Sequence, residues 1–281
     1  MGKRECLEEV LNMNYFIEGI QGAGKSTLVN RLAEKLPQYQ VFREGDYNPV
    51  ELAWCTYMNK EQYDSVLQKY APIADEIKAN THTEQDKRIV TYTRIITDIP
   101  GFHKDLEQYE IYNGRVSREE FEQVILSRYA AWNGEEQIFE CSMFQNIIES
   151  QILYYEMSDE EILAFYRRLA EVLEDKIFRI VYLEVEDIAE SIKVIRKERV
   201  DHDGNEMWFP LMMAYIEECP WSKKHNIKGF DGLIAHLEHR KQLELQILKE
   251  IFPEQAVILR SKQYDIENIV IGEGKNVRKN G

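Results

Sequence analysis

The stretch from Tyr15 to Leu32, YFIEGIQGAGKSTLVNRL, constrains the fold more than any other part of the chain. A short apolar run gives way to a glycine-rich turn and a lysine, and then to apolar residues at helical spacing. The eight residues from Gly19 to Ser26 fit G-x-x-x-x-G-K-[ST] in full, after an expected strand and before an amphipathic helix bearing Leu28, Val29 and Leu32. Glycine lets such a turn wrap backbone N–H groups around a phosphate chain, and the helix N-terminus adds the positive end of its dipole. Gly19, Gln21, Gly22, Ala23, Gly24, Lys25, Ser26 and Thr27 are therefore candidates for holding ATP. Lys25 would reach the β- and γ-phosphates and Ser26 would ligate Mg²⁺. An ordinary glycine turn is the alternative, and both flanks speak against it.

The chain has 281 residues, enough for one α/β core, since single cores stop growing near about 250–300 residues. One domain over 1–281 is the expectation. Five β-rich runs stand out: Asn14 to Glu18, Tyr39 to Glu44, Glu136 to Cys141, Phe178 to Val185 and Gln255 to Arg260. Near-continuous apolar strands alternating with helical patterns predict a doubly wound five-stranded parallel sheet. Residues 48–133, between the second and third runs, read as a helix-rich insertion that caps the sheet and offers acceptor-binding surface. It is expected to hold a helix around VELAWCTYM, a polar stretch KANTHTEQDKR, a β-like run IVTYTRII and a helix SREEFEQVILSRYAAW. A long helix is predicted from about Gly232 to Phe252, and the polar tail 272–281 is expected to be disordered.

Charge narrows the partners. With 50 acidic against 35 basic residues the net charge is −15, which repels nucleic-acid backbones. No basic patch offsets it, so any phosphorylated ligand must be held by a few cations in a confined site. The four cysteines, Cys6, Cys55, Cys141 and Cys219, are widely spaced and read as reduced thiols. Neither a signal-peptide core, nor a myristoylation pattern, nor an apolar run of membrane-spanning length is evident, so a cytoplasmic protein without membrane association is expected.

FIEGIQGAGKSTL resembles the opening of the thymidylate kinase and deoxynucleoside kinase group of P-loop kinases, where a strand ending in Glu-Gly, here Glu18-Gly19, runs into the loop. The resemblance covers the sheet framework, about half of the chain, and implies a sheet of P-loop kinase type with a lid, here 196–208. In VFREGDYNP, Glu44 occupies the place of the carboxylate that acts as base toward the acceptor hydroxyl, with Asp46 as a helper; Gly45 stands where the family has proline. A base is chemically sensible there, because an attacking hydroxyl must lose its proton. An exposed acidic strand end is the plain alternative. In IFECSMFQN, Glu140 matches the acid that serves metal or acceptor and Ser142 the family serine, while Cys141 replaces the family arginine. Arg94 and Arg128 are candidate substitutes for that guanidinium, although surface arginines are commoner.

In FRIVYLEVEDIAESIKVIRKERVDHDGNEMW, Ile188, Ile192 and Ile195 form a core stripe that Arg199 extends by one turn, with Arg196 at its border and Lys193 and Lys197 on the solvent face. Arg196 and Arg199 are therefore the expected phosphate-closing cations, and charge complementing the helix dipole is the alternative. DHDGN lacks the spacing of a calcium loop, and His236 with His239 has no third metal ligand. IITDIPG looks like a GTPase switch, yet no guanine-reading N-K-x-D follows. Trp54 and the other aromatics of the insertion offer stacking surface, although core packing explains most aromatics. The expectation is an ATP- and Mg²⁺-dependent kinase of a small hydroxyl or phosphate acceptor, a nucleoside or nucleotide first, with a homodimer open. A kinase of a non-nucleotide alcohol and a nucleotide-dependent switch or regulatory ATPase are the alternatives.

Overall fold

Residues 12–266 and residue 269 are described by the computed structural model. Cys6 and the tail 272–281 lie outside them.

β1 (Asn14–Glu18) runs through the middle of the molecule with all five residues buried, as a strand covered on both faces must be. Glycine at 19 ends it, and α1 (Lys25–Lys35) starts where Gly24 adopts φ 89. Leu28, Val29 and Leu32 are buried on the face of α1 that packs on the sheet. β2 (Gln40–Phe42) follows and forms one edge of the sheet.

The chain then leaves the sheet. α2 (Lys60–Lys69) opens with a capping box between Asn59 and Gln62, and α3 (Ala74–Ala79) follows it. β3 (Thr81–Glu84) and β4 (Lys87–Val90) make an antiparallel hairpin, and α4 (Phe102–Glu107) completes the excursion. These elements surround a small core of their own, built from Met58, Val66, Tyr70, Ile77, Phe102 and their neighbours.

α5 (Arg118–Ala131) returns to the main core with Phe121, Val124, Ile125 and Tyr129 buried, and leads into β5 (Gln137–Glu140). α6 (Gln145–Leu153) and α7 (Asp159–Val172) precede β6 (Phe178–Glu184). α8 (Ile188–Glu198), α9 (Trp208–Glu218), α10 (Pro220–His225) and α11 (Gly229–Glu250) precede β7 (Ala256–Arg260).

The five strands pair in parallel in the order β2-β5-β1-β6-β7, so the loop-bearing strand is central. Register places Phe16, Phe139 and Phe42 side by side, and their rings stack at 4.7 Å and 5.1 Å between centroids. The expected doubly wound α/β sheet is therefore present, with each of the five sequence-predicted strands in it.

Three local expectations change. VELAWCTYM forms turns rather than a helix: Asn48 Oδ1 accepts from the amides of Val50 and Glu51, Glu51 Oε1 accepts from that of Ala53, and Trp54 sits at φ 63. Side chains thus take the amides that a helix would use. The polar stretch KANTHTEQDKR, together with the start of IVTYTRII, makes the β3–β4 hairpin, turning at Gln85 with φ 50. His236, for which the surface is the commoner place, is 1% exposed within the core.

Candidate nucleotide and acceptor site

Three glycines shape the loop after β1. A Cβ on Gly19 would meet the Leu183 carbonyl oxygen at 2.7 Å, and one on Gly22 would lie 2.3 Å from Ile195 Cδ1. At Gly24, by contrast, an added Cβ would have nothing within 4 Å. The loop is tight against β6 and α8 on one side and open on the other, leaving a backbone concavity of the kind that takes phosphate.

Lys25 is buried beneath this concavity. Its Nζ donates to the carbonyls of Gly19 (2.7 Å) and Ile20 (3.0 Å) and to Gln145 Oε1 (3.0 Å). At the first turn of α1, Ser26 Oγ donates to Glu140 Oε1, joining a hydroxyl at the start of the helix to a carboxylate at the end of β5. These hard oxygen donors suit Mg²⁺, which takes one or two protein ligands and completes its shell with phosphate and water. Loop, lysine, hydroxyl and acid therefore fit a nucleotide with its magnesium. Arg43 approaches Glu140 Oε2 at 3.9 Å, while donating to Asn30 Oδ1 at 2.6 Å.

Glu44 stands across the same cavity. Its Oε1 accepts from Gln145 Nε2 at 2.9 Å and from Trp54 Nε1 at 3.1 Å. Gln145 thus spans the site: its carbonyl faces Lys25 and its amide nitrogen faces Glu44. Trp54 keeps a left-handed backbone although it is 44% exposed, and Cys141, next to Glu140, has φ 59. Non-glycine residues in that conformation are uncommon and gather at functional sites.

The cavity measures about 730 Å³ and runs from the loop to α9. Gln21, Gly22, Gly24, Lys25, Ser26 and Thr27 line its loop end. Glu44, Trp54, Glu140 and Arg199 also reach it, Arg199 from the C-terminus of α8 with its guanidinium over the Trp208 ring. Six sequence candidates stand off it: Gly19 and Ala23 of the loop, and Asp46, Arg94, Arg128 and Arg196. Asp46 accepts from the Arg43 amide and from Arg94, so these two partner each other. Arg128, expected at the surface, is buried, donating to Glu84 and to the Asn48 carbonyl. Arg196 forms a paired hydrogen bond with Glu206 and stacks over Phe209. In the stretch expected to form a lid, Val200 and Glu206 make an antiparallel bridge around a turn tied by Asp201. Among the other aromatics of the insertion, Tyr92, Tyr112, Tyr129 and Trp132 are buried.

Sequence reading missed Gln145 and Glu149, four residues apart on α6 and both buried at the cavity wall. Two polar residues at i, i+4 within the apolar run QNIIESQIL were the signal available. Glu149 receives Gln21 Nε2 (3.4 Å) and Arg240, and His236 Nε2 lies 2.9 Å away. Burial pushes its carboxyl up, but His236 and Arg240 outweigh that and hold it at about 2. Beneath the loop, Glu18 is fully buried, and burial pushes it up to about 8 although the Met143 amide donates to it. Burial also raises the Cys141 thiol, which favours its protonated form. Ser142 is buried as well; its Oγ receives Asn48 Nδ2 and donates to the Glu140 carbonyl.

No family model matches the chain. No curated protein matches it either. Among solved structures, a gluconokinase from Sinorhizobium meliloti 1021 aligns over 92% of this chain and 88% of its own, at 14% identity and a TM-score of 0.30. EHV4-TK complexed with Thy and ADP aligns over 73% of this chain and 56% of its own, at 12% identity and a TM-score of 0.26. EHV4-TK complexed with TP4A aligns over 73% and 57%, at 10% identity and a TM-score of 0.23. Similarities this weak say nothing of what the present chain binds or phosphorylates. Among the described residues no helix is long and apolar enough to cross a membrane.

Proposed function

We propose that the protein is a kinase that moves the γ-phosphoryl group of ATP to a hydroxyl of a small molecule. One observation carries this reading: a single cavity joins the phosphate loop to a second carboxylate, Glu44, whose partners Gln145 and Trp54 are distinct from the Ser26 that Glu140 pairs with. A nucleotide-dependent switch needs the first feature only. A phosphotransferase needs both, because the acceptor must lose a proton while the donor is held.

Mg²⁺, when bound, would neutralise charge developing on the transferred group. The chain supplies the rest. Loop amides and Lys25 orient the phosphates, and Ser26 with Glu140 offers the metal its protein oxygens. Glu44, kept in place by Gln145 and Trp54, would take the proton of the acceptor hydroxyl. Arg199 reaches in from α8 as the cation available to a phosphate on that side. Positioning and charge stabilisation account for most of the catalysis in phosphoryl transfer, so a pre-arranged constellation of this kind is what the reaction asks for.

The test is transfer of labelled phosphate from ATP to hydroxyl compounds, using the wild-type protein and Glu44→Gln. Glu44→Gln should retain ATP affinity by calorimetry while transfer falls about 10²–10⁴-fold. Transfer that is unchanged in the variant removes Glu44 from the chemistry. ATP hydrolysis that no acceptor alters would favour the switch instead.

A further inference from the structure

The two ends of the cavity differ in charge. Its cations are Lys25, Arg199 and Lys262, and Lys25 belongs to the phosphate loop. On the far side of the Gln145 amide from Lys25 the wall carries Glu44, and it also carries Glu110 and Asn113, whose Oδ1 accepts from Tyr215 OH. Arg199 lies over the Trp208 ring toward α9, and among the described residues neither it nor Lys25 or Lys262 forms an ion pair with Glu44 or Glu110. The two arginines contributed nearby are taken: Arg94 by Asp46, and Arg128 by Glu84 and the Asn48 carbonyl. Glu149 is also at the wall, but Arg240 and His236 already answer its charge. Among the described residues Glu44 and Glu110 make hydrogen bonds but no ion pair, although the Arg115 charge acts on Glu110 and lowers its carboxyl somewhat.

We infer that the phosphate acceptor is an alcohol carrying an ammonium group, rather than a neutral sugar, a nucleoside or an already phosphorylated compound. This rests on the kinase reading above and goes further by naming the class of acceptor. A phosphorylated acceptor would bring negative charge against carboxylates in a confined, partly dry space, where Coulomb repulsion is much stronger than in water. An ammonium gains in the same place. It finds a carboxylate partner in Glu110, with Glu44 left to take the hydroxyl proton, and aromatic faces in Trp54 and Tyr112 around the same space.

Two further observations agree. Glu110 is 3% exposed, its Oε1 accepts from Tyr92 OH at 2.5 Å, and burial pushes its carboxyl up to about 7. A cation arriving beside it would hold it ionised. Asn146, also at the wall, has its Nδ2 buried without a hydrogen-bond partner among the described residues, leaving a donor for an acceptor oxygen.

The ammonium has no lone pair to attack with, so transfer goes to oxygen. The acceptor oxygen forms a bond to the γ-phosphorus, and the bond from that phosphorus to the β–γ bridging oxygen breaks. ADP departs with the electron pair, and the hydroxyl proton passes to Glu44.

The experiment compares matched acceptors with wild-type protein, ATP and Mg²⁺: glucosamine, N-acetylglucosamine, glucose and glucose 6-phosphate, alongside kanamycin and its N-acetylated form, and adenosine with AMP. Labelled product is followed for each. The amines are expected to exceed their acetylated twins in kcat/KM by about tenfold or more, since removing the charge removes a buried ion contact. Glu110→Gln should erase that preference. Preference for an acetylated, neutral or phosphorylated member, in wild type, overturns the inference while leaving the kinase reading intact. Absence of transfer to every class overturns both. The acetylation comparison needs no variant, so a misfolded Glu110→Gln does not rescue the idea.

Discussion

Gln145 is the residue on which the two halves of the site meet, because a primary amide offers an acceptor and a donor on one rigid plane. Its oxygen takes a hydrogen bond from Lys25, and its nitrogen gives one to Glu44. Gln145→Leu keeps the volume but removes both contacts, leaving Glu44 with the indole of Trp54 alone. Transfer should slow by about 10–10²-fold with the KM for ATP changed far less, as measured by steady-state kinetics beside ATP calorimetry. An equal loss in ATP affinity and in turnover would mean that Gln145 only supports the loop. At the same scale, Arg94 and Arg128, the two arginines considered as substitutes near Cys141, are both taken up by ion pairs. Each is neutralised by a carboxylate, Asp46 or Glu84, that sequence spacing gave no reason to bring near.

At the scale of elements, α8 and the phosphate loop form one joint. Ile195 packs so closely under Gly22 that a Cβ there would overlap its Cδ1 at 2.3 Å, and Ser191 Oγ donates to the Gly22 carbonyl at 3.4 Å. Gly22 also holds φ 80, which costs an L-residue roughly 1–2 kcal/mol before any clash. Gly22→Ala should therefore lose most ATP binding, by about tenfold or more in Kd. Adding Ile195→Ala should recover part of it, because the overlap is relieved while the backbone strain is not. No recovery in the double variant would show that φ alone decides. α8 itself was readable in advance. Its stripe of Ile188, Ile192 and Ile195 is buried, and Lys193 and Lys197 are exposed. What periodicity could not tell is where the two arginines at its end turn: Arg199 lines the cavity, whereas Arg196 is held by Glu206 beyond it.

For the whole molecule, burial of carboxyls sets how stability depends on pH. Burial raises Glu18 and Glu51 to about 8, well above the usual carboxylate value, so between that value and pH 8 the folded state binds more protons than the unfolded one. Stability must fall as pH rises through this window. Glu149, held at about 2, works in the other direction: its contribution is present above the usual carboxylate value and is lost as pH falls toward 2. The net charge of −15 adds repulsion as the acids ionise. Thermal melting is expected to peak in mildly acidic buffer, near pH 5, and to decline toward pH 8, with Glu18→Gln flattening the decline. A melting temperature that climbs steadily from pH 5 to pH 8 contradicts this.

Some of this was written locally in the chain. The β1–loop–α1 unit, the five strands and the amphipathic helices depend on near neighbours, on apolar spacing and on glycine's freedom at the turn, so the sequence alone determined them. Residues 50–58 were misread as a helix for the opposite reason: Asn48 and Glu51 compete for the amides there, and periodicity does not register that competition. The union of Lys25, Gln145 and Glu44, the burial of His236, and the capture of Arg94 and Arg128 were decided only by tertiary structure. Each of these joins strand ends or helices far apart in the chain, and which charges neutralise one another is settled by the sheet order and by what water can no longer reach.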